Sequence, residues 1–283
     1  MKLSIVISTL DRTIQLDRTL FSLCKWQNYE PADVELVVVV DRTKVWGDFG
    51  WVMRNYRRYF YKITLIEINS DRMSQKGVTG NPSLGINIAV KAAENEIILK
   101  TDAECTPITE TVSESIKLFD ENKLWFFCVR MLTERETEQM GEGFDSIHPD
   151  ALYKKKLTQI DGLWYITERQ RYPYWFGAVF SRQRFMEIGG LDEEFMKGFA
   201  GEDDEWAERM ARNGVRWDWS ATLKILHQYH GDWSQRWIHT EPHFTNIRRL
   251  QWSRDNAVMR ANEGLDWGSD KYIIRKETFN AHR

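Results

Sequence analysis

The sequence predicts an α/β fold with a mostly parallel central sheet flanked by helices, on three observations. Short aliphatic runs alternate with helical spacings from Leu3 to Met131. A small polar or acidic group closes most of those runs, the pattern of a sheet that gathers its functional residues along the carboxyl edge. The chain has 283 residues, 42% of them apolar, enough to bury one large core.

Taken in order, Leu3 to Ser8 is an aliphatic strand, and Thr13 to Lys25 carries Leu16, Leu20, Leu23 and Cys24 at helical spacing. Glu35 to Val40 is a continuous run closed by Asp41, as expected of a parallel strand buried on both faces. Ile63 to Ile68 repeats that pattern. Pro82 to Glu94 reads as a helix with Leu84, Ile88 and Ala92 on one face, followed by a strand over Glu96 to Leu99 that runs into Thr101-Asp102-Ala103-Glu104. Thr109 to Asn122 is a further helix and Leu124 to Met131 a further strand. Thr133 to Pro149 is polar with Gly141 and Gly143 and reads as a long loop, either a solvated surface or a lid. Trp164 to Phe180 reads as aromatic strands, and Arg182 to Ile188 as a short helix stopped by Gly189-Gly190. Glu202 to Asn213 is a helix with Trp206 and Met210 inward and Gly214 as its stop, and Thr222 to Leu226 is a strand.

Composition narrows the function classes. A formal charge of −3 gives no whole-protein field that would draw the chain to nucleic acid. Cys24, Cys105 and Cys128 are odd in number and form no CxxC pair, which argues against a disulfide framework or thiolate zinc and for a cytoplasmic setting. The apolar run at Met1 to Ser8 is too short for a signal segment, and no stretch reaches the roughly 18 residues of a membrane span. Peripheral membrane contact stays open. Of thirteen tryptophans, nine lie from Trp164 onward; they suit either core packing or stacking on sugar rings.

Three clusters carry chemistry. Asp102 and Glu104, one residue apart at a strand end, suit a hard divalent cation, although a DxE alone reads equally as two solvated acids in a turn. Glu202-Asp203-Asp204-Glu205 opens a helix, whose dipole explains one or two acids but not four. His227 and His230 follow the last strand and are metal-ligand types whose i, i+3 spacing decides nothing by itself.

The order of these pieces resembles the family 2 glycosyltransferases, which have the GT-A (Rossmann-like) fold. Ser4 to Arg12 is similar to that family's opening strand and nucleotide loop, Leu20-Phe21-Ser22-Leu23 to the helix after it, and Glu35 to Asp41 to its second strand. Asn87 stands 15 residues before Asp102, the family's spacing between its asparagine and its DxD motif. Phe176-Gly177-Ala178 and Gly189 to Phe195 resemble the acceptor-side segments, and Gly201-Glu202-Asp203-Asp204 falls where the family keeps its catalytic acid. The sequence departs from the family at Glu104, which replaces an aspartate, and at Val40, where a second acid is usual. The glutamine-rich tryptophan motif of processive members is absent.

The resemblance covers most of residues 1–230, with a nucleotide half of about 1–105 and an acceptor half of about 106–230. It implies an inverting transfer from a nucleotide diphosphate sugar, by default a uridine diphosphate sugar, to a hydroxyl of a glycan, glycolipid or other acceptor. It implies donor contacts at Ser8, Thr9, Asp11, Arg12, Asp41, Asn87, Thr101 and Asp102. Manganese or magnesium would sit on Asp102, Glu104 and His227, the first histidine after the strand, with Asp102 also reaching the donor ribose or a water on the ion. Asp203 would be the general base, with Asp204 its nearest competitor and Glu202 binding sugar hydroxyls; Trp175, Phe176 and Gly177 would meet the acceptor. Residues 231–283 form a C-terminal extension of mixed charge, explicable as an acceptor arm, an oligomer contact, a membrane-surface foot or an ordinary solvated face. The rival classes are a nucleotidyltransferase, which needs a glycine-rich phosphate loop that Ser8 to Arg12 lacks, and a non-catalytic carbohydrate-binding protein, which leaves the acid clusters unexplained. A glycoside hydrolase would bind no nucleotide.

Overall fold

A computed structural model describes residues 1–25, 27–41, 45–70, 82–146, 176–231 and 240–281. Strands β1 (Leu3–Thr9), β2 (Val34–Asp41), β3 (Lys62–Ile68) and β4 (Ile97–Thr101) lie parallel in the spatial order β4-β1-β2-β3. Their side chains alternate between two cores, because successive residues of a strand point to opposite faces. Leu36, Val38 and Val40 pack with Leu16 and Leu20 of α1 (Thr13–Lys25) and Val52 of α2 (Trp46–Tyr56). Val37 and Val39 pack with Leu84 and Ile88 of α3 (Ser83–Ala92). Each such fully buried side chain contributes about 1.5–3 kcal/mol relative to exposure.

The sheet continues past β4 through β5 (Cys105–Pro107), β6 (Lys123–Met131), β7 (Gly177–Ser181) and β8 (Arg216–His227). The strand β9 (Ile273–Asn280) lies beyond β3, giving nine strands among the described residues in the order β5-β8-β6-β7-β4-β1-β2-β3-β9. β7 runs antiparallel between β4 and β6, and β8 lies parallel to β6 and antiparallel to β5. The remaining helices are α4 (Thr111–Leu118), α5 (Glu134–Ser146), α6 (Arg182–Glu187), α7 (Glu202–Arg212) and α8 (Glu241–Asp255). Cys24, Cys105 and Cys128 are buried free thiols. Among the described residues no helix is long and apolar enough to cross a membrane.

The long loop expected over Thr133 to Pro149 is corrected: residues 134–146 are α5. Thr133-Glu134-Arg135-Glu136 is a capping box. The Thr133 backbone N–H and hydroxyl donate to Glu136 Oε2 at 2.8 and 2.9 Å, and the Glu136 N–H donates back to Thr133 Oγ1 at 3.3 Å. The polarity that suggested a loop is that of a helix whose first two turns expose Glu134, Arg135, Glu138 and Gln139 and turn Thr137 and Met140 inward. Of the aromatic stretch 164–180, only 176–180 falls in the described residues, with Gly177 starting β7.

The C-terminal segment joins the main body. β9 pairs with β3 over Lys62 to Ile68. Asn246 of α8 donates to the carbonyls of Phe195 and Ala200 at 3.0 and 2.8 Å, which ties α8 to the short 3-10 helix Glu193–Lys197 and to the entry of α7.

Candidate active site

β1, β2 and β4 all end on one edge, and the side chains beyond their ends form the site. β5 pairs with the end of β8, placing Cys105 opposite His227, and the Gln228 N–H donates to the Glu104 carbonyl at 2.8 Å. That register brings Glu104, His227 and His230 together with their ligand atoms within 4.8 Å of one another. His227 and His230 reach Glu104 Oε1 through Nε2 at 3.7 and 3.4 Å, and Arg12, in the turn after β1, is ion-paired with the same oxygen.

Electrostatics prepares the three groups as ligands. Burial would raise Glu104, but Arg12 and the two histidines outweigh it and hold the carboxyl below its usual range. Burial lowers His227 to about 4 against the pull of Glu104, with His230 and Arg12 adding to the fall. His230 is lowered too, first by burial and then by Arg12. Both imidazoles are therefore neutral at neutral pH, the form that binds metals, and their contacts with Glu104 are not ion pairs. Their Nδ1 atoms are buried without a hydrogen-bond partner among the described residues. A carboxylate and two neutral imidazoles converging with spare lone pairs fit a divalent metal of the manganese or zinc type.

Asp102 stands outside this trio. Its Oδ1 accepts from Lys100 Nζ at 2.7 Å, and its backbone N–H donates to the Phe176 carbonyl at 3.3 Å. Burial lifts its carboxyl to about 6; Lys100 opposes the shift and Glu104 adds to it. Phe176 meets the His227 ring edge-on with centroids 4.7 Å apart. Gly177 pairs with Thr101 across β4 and β7, where a Cβ would come 2.5 Å from the Phe127 ring. Trp175 lies outside the described residues.

The other donor candidates divide. Ser8 and Thr9 end β1, and α3 approaches so closely at Gly85 that a side chain there would strike the Ser8 hydroxyl. Asp11 is exposed on the turn that follows. Thr101 is buried, its hydroxyl without a hydrogen-bond partner among the described residues. Asp41 accepts from the Ser70 N–H at 3.0 Å and from the Ser70 hydroxyl, tying the ends of β2 and β3 together. Asn87 sits in α3. It is fully buried, donates to the Leu191 carbonyl and Glu193 Oε1 at 2.9 and 3.0 Å, and accepts from the Leu191 N–H at 2.8 Å. These bonds make Asn87 an internal clamp on the Gly189 to Phe195 segment.

The acid run at the start of α7 follows Gly201, whose φ of +85° suits glycine. Glu205 is structural: it is 1% exposed, accepts from Arg209 at 2.7 to 3.2 Å, and accepts from Ser253 at 2.9 Å. Glu202 is pushed up to about 8 by burial and then by Asp203 and Asp204, while Lys100 pulls it down. Lys100 therefore acts on both acid clusters, through contact with Asp102 and through its field at Glu202. Asp204 is raised to about 7 by burial, Asp203 and Glu208, against Arg254 of α8. The Asp204 N–H donates to Asp203 Oδ1 at 3.0 Å. Sequence reasoning passed over Lys100, although a lysine ending the run Ile97-Ile98-Leu99 was a signal, and it placed His230 behind His227.

A family model described as the N-terminal domain of galactosyltransferase matches residues 153–231. No curated protein matches the chain. Among solved structures, S. aureus TarS 1-349 is similar with a TM-score of 0.55 and 17% identity over 81% of this chain and 60% of that one. The same protein in complex with UDP-GlcNAc gives 0.56 and 15%, covering 88% and 65%. The mannosyltransferase PcManGT from Pyrobaculum calidifontis, in complex with GDP-Man and Mn2+, gives 0.55 and 16%, covering 88% and 64%. In each case the chain spans less than two thirds of the other protein. The chain has a glycosyltransferase fold of the GT-A type.

Proposed function

We propose that this GT-A-type chain transfers a sugar from a nucleoside diphosphate donor, by preference a uridine diphosphate sugar, to an acceptor hydroxyl with inversion. The observation that carries the reading is the meeting of Glu104, His227 and His230, with Asp102 held by Lys100 two residues before Glu104. The similarity to nucleotide-sugar enzymes supports it.

Glu104, His227 and His230 would hold a divalent ion, which supplies positive charge to the departing diphosphate. Two imidazoles in the donor set favour manganese over magnesium, whose preference is for oxygen. Arg12, paired with Glu104, brings a second cation to the same place, and Ser8, Thr9 and Asp11 at the end of β1 would meet the nucleotide, with the buried Thr101 behind Asp102. Asp102, held by Lys100 at 2.7 Å, would reach the donor ribose. On the acceptor side, Asp203 takes the hydroxyl proton as the new bond forms. Asp204 shares its helix face with Glu208 and is the weaker candidate. Glu202, protonated near neutrality, donates a hydrogen bond to a sugar hydroxyl. Phe176 and Gly177 border the acceptor entry, with Trp175 beside them in sequence. A single base implies direct displacement, so an α-linked donor gives a β-linked product.

The test is turnover of a panel of nucleotide sugars with manganese, with magnesium and with chelator. Glu104→Ala is expected to lose metal-dependent donor binding. Asp203→Asn is expected to bind donor normally and to transfer about 100- to 10,000-fold more slowly. Wild-type turnover by both variants would show the site assignment to be wrong.

A further inference from the structure

Away from this edge, the C-terminal half of α8, the loop after it and Asp192 enclose an open cleft of about 560 Å³. That volume lies in the range of small-molecule sites. Trp252 forms one wall and is 46% exposed, with the Arg249 guanidinium 4.2 Å from its ring centroid. Arg249 is in turn fixed by Asp192 at 2.6 Å, so the indole is backed on one face by a held cation. Arg260 and Glu263 line the same cleft, are exposed, and make no hydrogen bond or ion pair among the described residues. The loop is pinned from beneath: Arg212 donates to the Val258 carbonyl at 2.9 Å, and Asn213 to that of Met259 at 2.7 Å. Ala257 is held at φ +46°, a left-handed conformation that costs a non-glycine residue energy and persists only where its surroundings impose it. A rigid, half-exposed indole bordered by uncommitted planar donors and acceptors suits a pyranose ring, whose apolar face stacks while its hydroxyls hydrogen-bond.

We propose that this cleft is a second carbohydrate-binding site, which takes a distal sugar unit of an extended oligosaccharide acceptor. The inference rests on the glycosyltransferase reading and adds the acceptor class. α7 connects the two places: its first turn carries Glu202 to Asp204, and its last, at Arg212, abuts the cleft loop. Its 11 residues span about 16 Å, a distance that an acceptor of several units covers and a monosaccharide does not.

The test is a titration of the purified protein, without donor or metal, with free oligosaccharides of two to six units built from glucose, galactose, mannose or N-acetylglucosamine. Binding is followed by calorimetry in wild type, Trp252→Ala, Trp252→Phe and Arg260→Ala. At least one oligosaccharide is expected to bind wild type. Trp252→Ala should weaken it about tenfold and Trp252→Phe restore most of it, with binding of uridine diphosphate plus manganese unchanged in all variants. The proposal is overturned if no oligosaccharide binds, or if Trp252→Ala and Arg260→Ala both bind like wild type. It is equally overturned if Trp252→Ala leaves oligosaccharide binding intact and abolishes association with phosphatidylglycerol vesicles, which would make this face a membrane foot. Failure of the glycosyltransferase reading is separate and would appear as no nucleotide binding and no donor turnover.

Discussion

Glu205 and Gly177 show how a residue inside a functional motif can have a structural purpose. Glu205 sits in the acid run of α7 yet is spent on Arg209, Arg212 and Ser253. Burial would raise its carboxyl, but Arg209 leads the groups that bring it below its usual value. A carboxyl depressed in the folded state stabilises the fold above its unfolded value, and that contribution is lost as pH falls through the folded one. Glu205→Gln, which leaves Arg209 buried without its charge partner, is expected to cost about 3–5 kcal/mol at pH 7 in urea denaturation. The gap from wild type should shrink on acidification below about pH 4. Gly177→Ala is expected to cost about 1–3 kcal/mol, because the new methyl must displace the buried Phe127 ring. A thermal melt unchanged from wild type would show that the ring yields freely.

At the scale of elements, α5 and β9 matter most to the site and the sheet. α5 supports the histidine segment directly, since Thr137 Oγ1 accepts the Tyr229 N–H at 2.8 Å, and just before the helix the Leu132 N–H donates to the His227 carbonyl at 2.9 Å. Thr133→Ala removes the capping box and is expected to cost about 1 kcal/mol by chemical denaturation, with helix content reduced in circular dichroism. A variant as stable as wild type would mean that packing of Thr137 and Met140 holds α5 without its cap. β9 covers the edge of β3, which would otherwise offer a row of unpaired backbone groups to other chains. The cap signal was present in Thr133-Glu134-Arg135-Glu136 but was outweighed by polarity, since an exposed helix and a loop have similar composition.

For the whole molecule, the proposed metal site would link ion binding to stability, because Glu104, His227 and His230 lie before β5, on β8 and on the segment beyond it and meet only in the folded chain. Manganese at about 100 times its dissociation constant should add about 2.7 kcal/mol. The expected readout is a rise in thermal midpoint of about 5 °C, reversed by chelator and absent in Glu104→Ala. An equal rise in that variant would place the ion elsewhere. The sequence by itself determined the parallel strands and their helices, because alternating and 3.6-residue spacings are local consequences of burying apolar side chains. It also determined that acids crowd the start of α7. Only the tertiary structure decided that Asn87 is an internal clamp, that Glu205 belongs to Arg209, that Lys100 acts on both Asp102 and Glu202, and that His230 stands with His227 at Glu104. Those outcomes depend on the register of β5 against β8 and on how α3, α7 and α8 dock, contacts between segments far apart in the chain that no local pattern encodes.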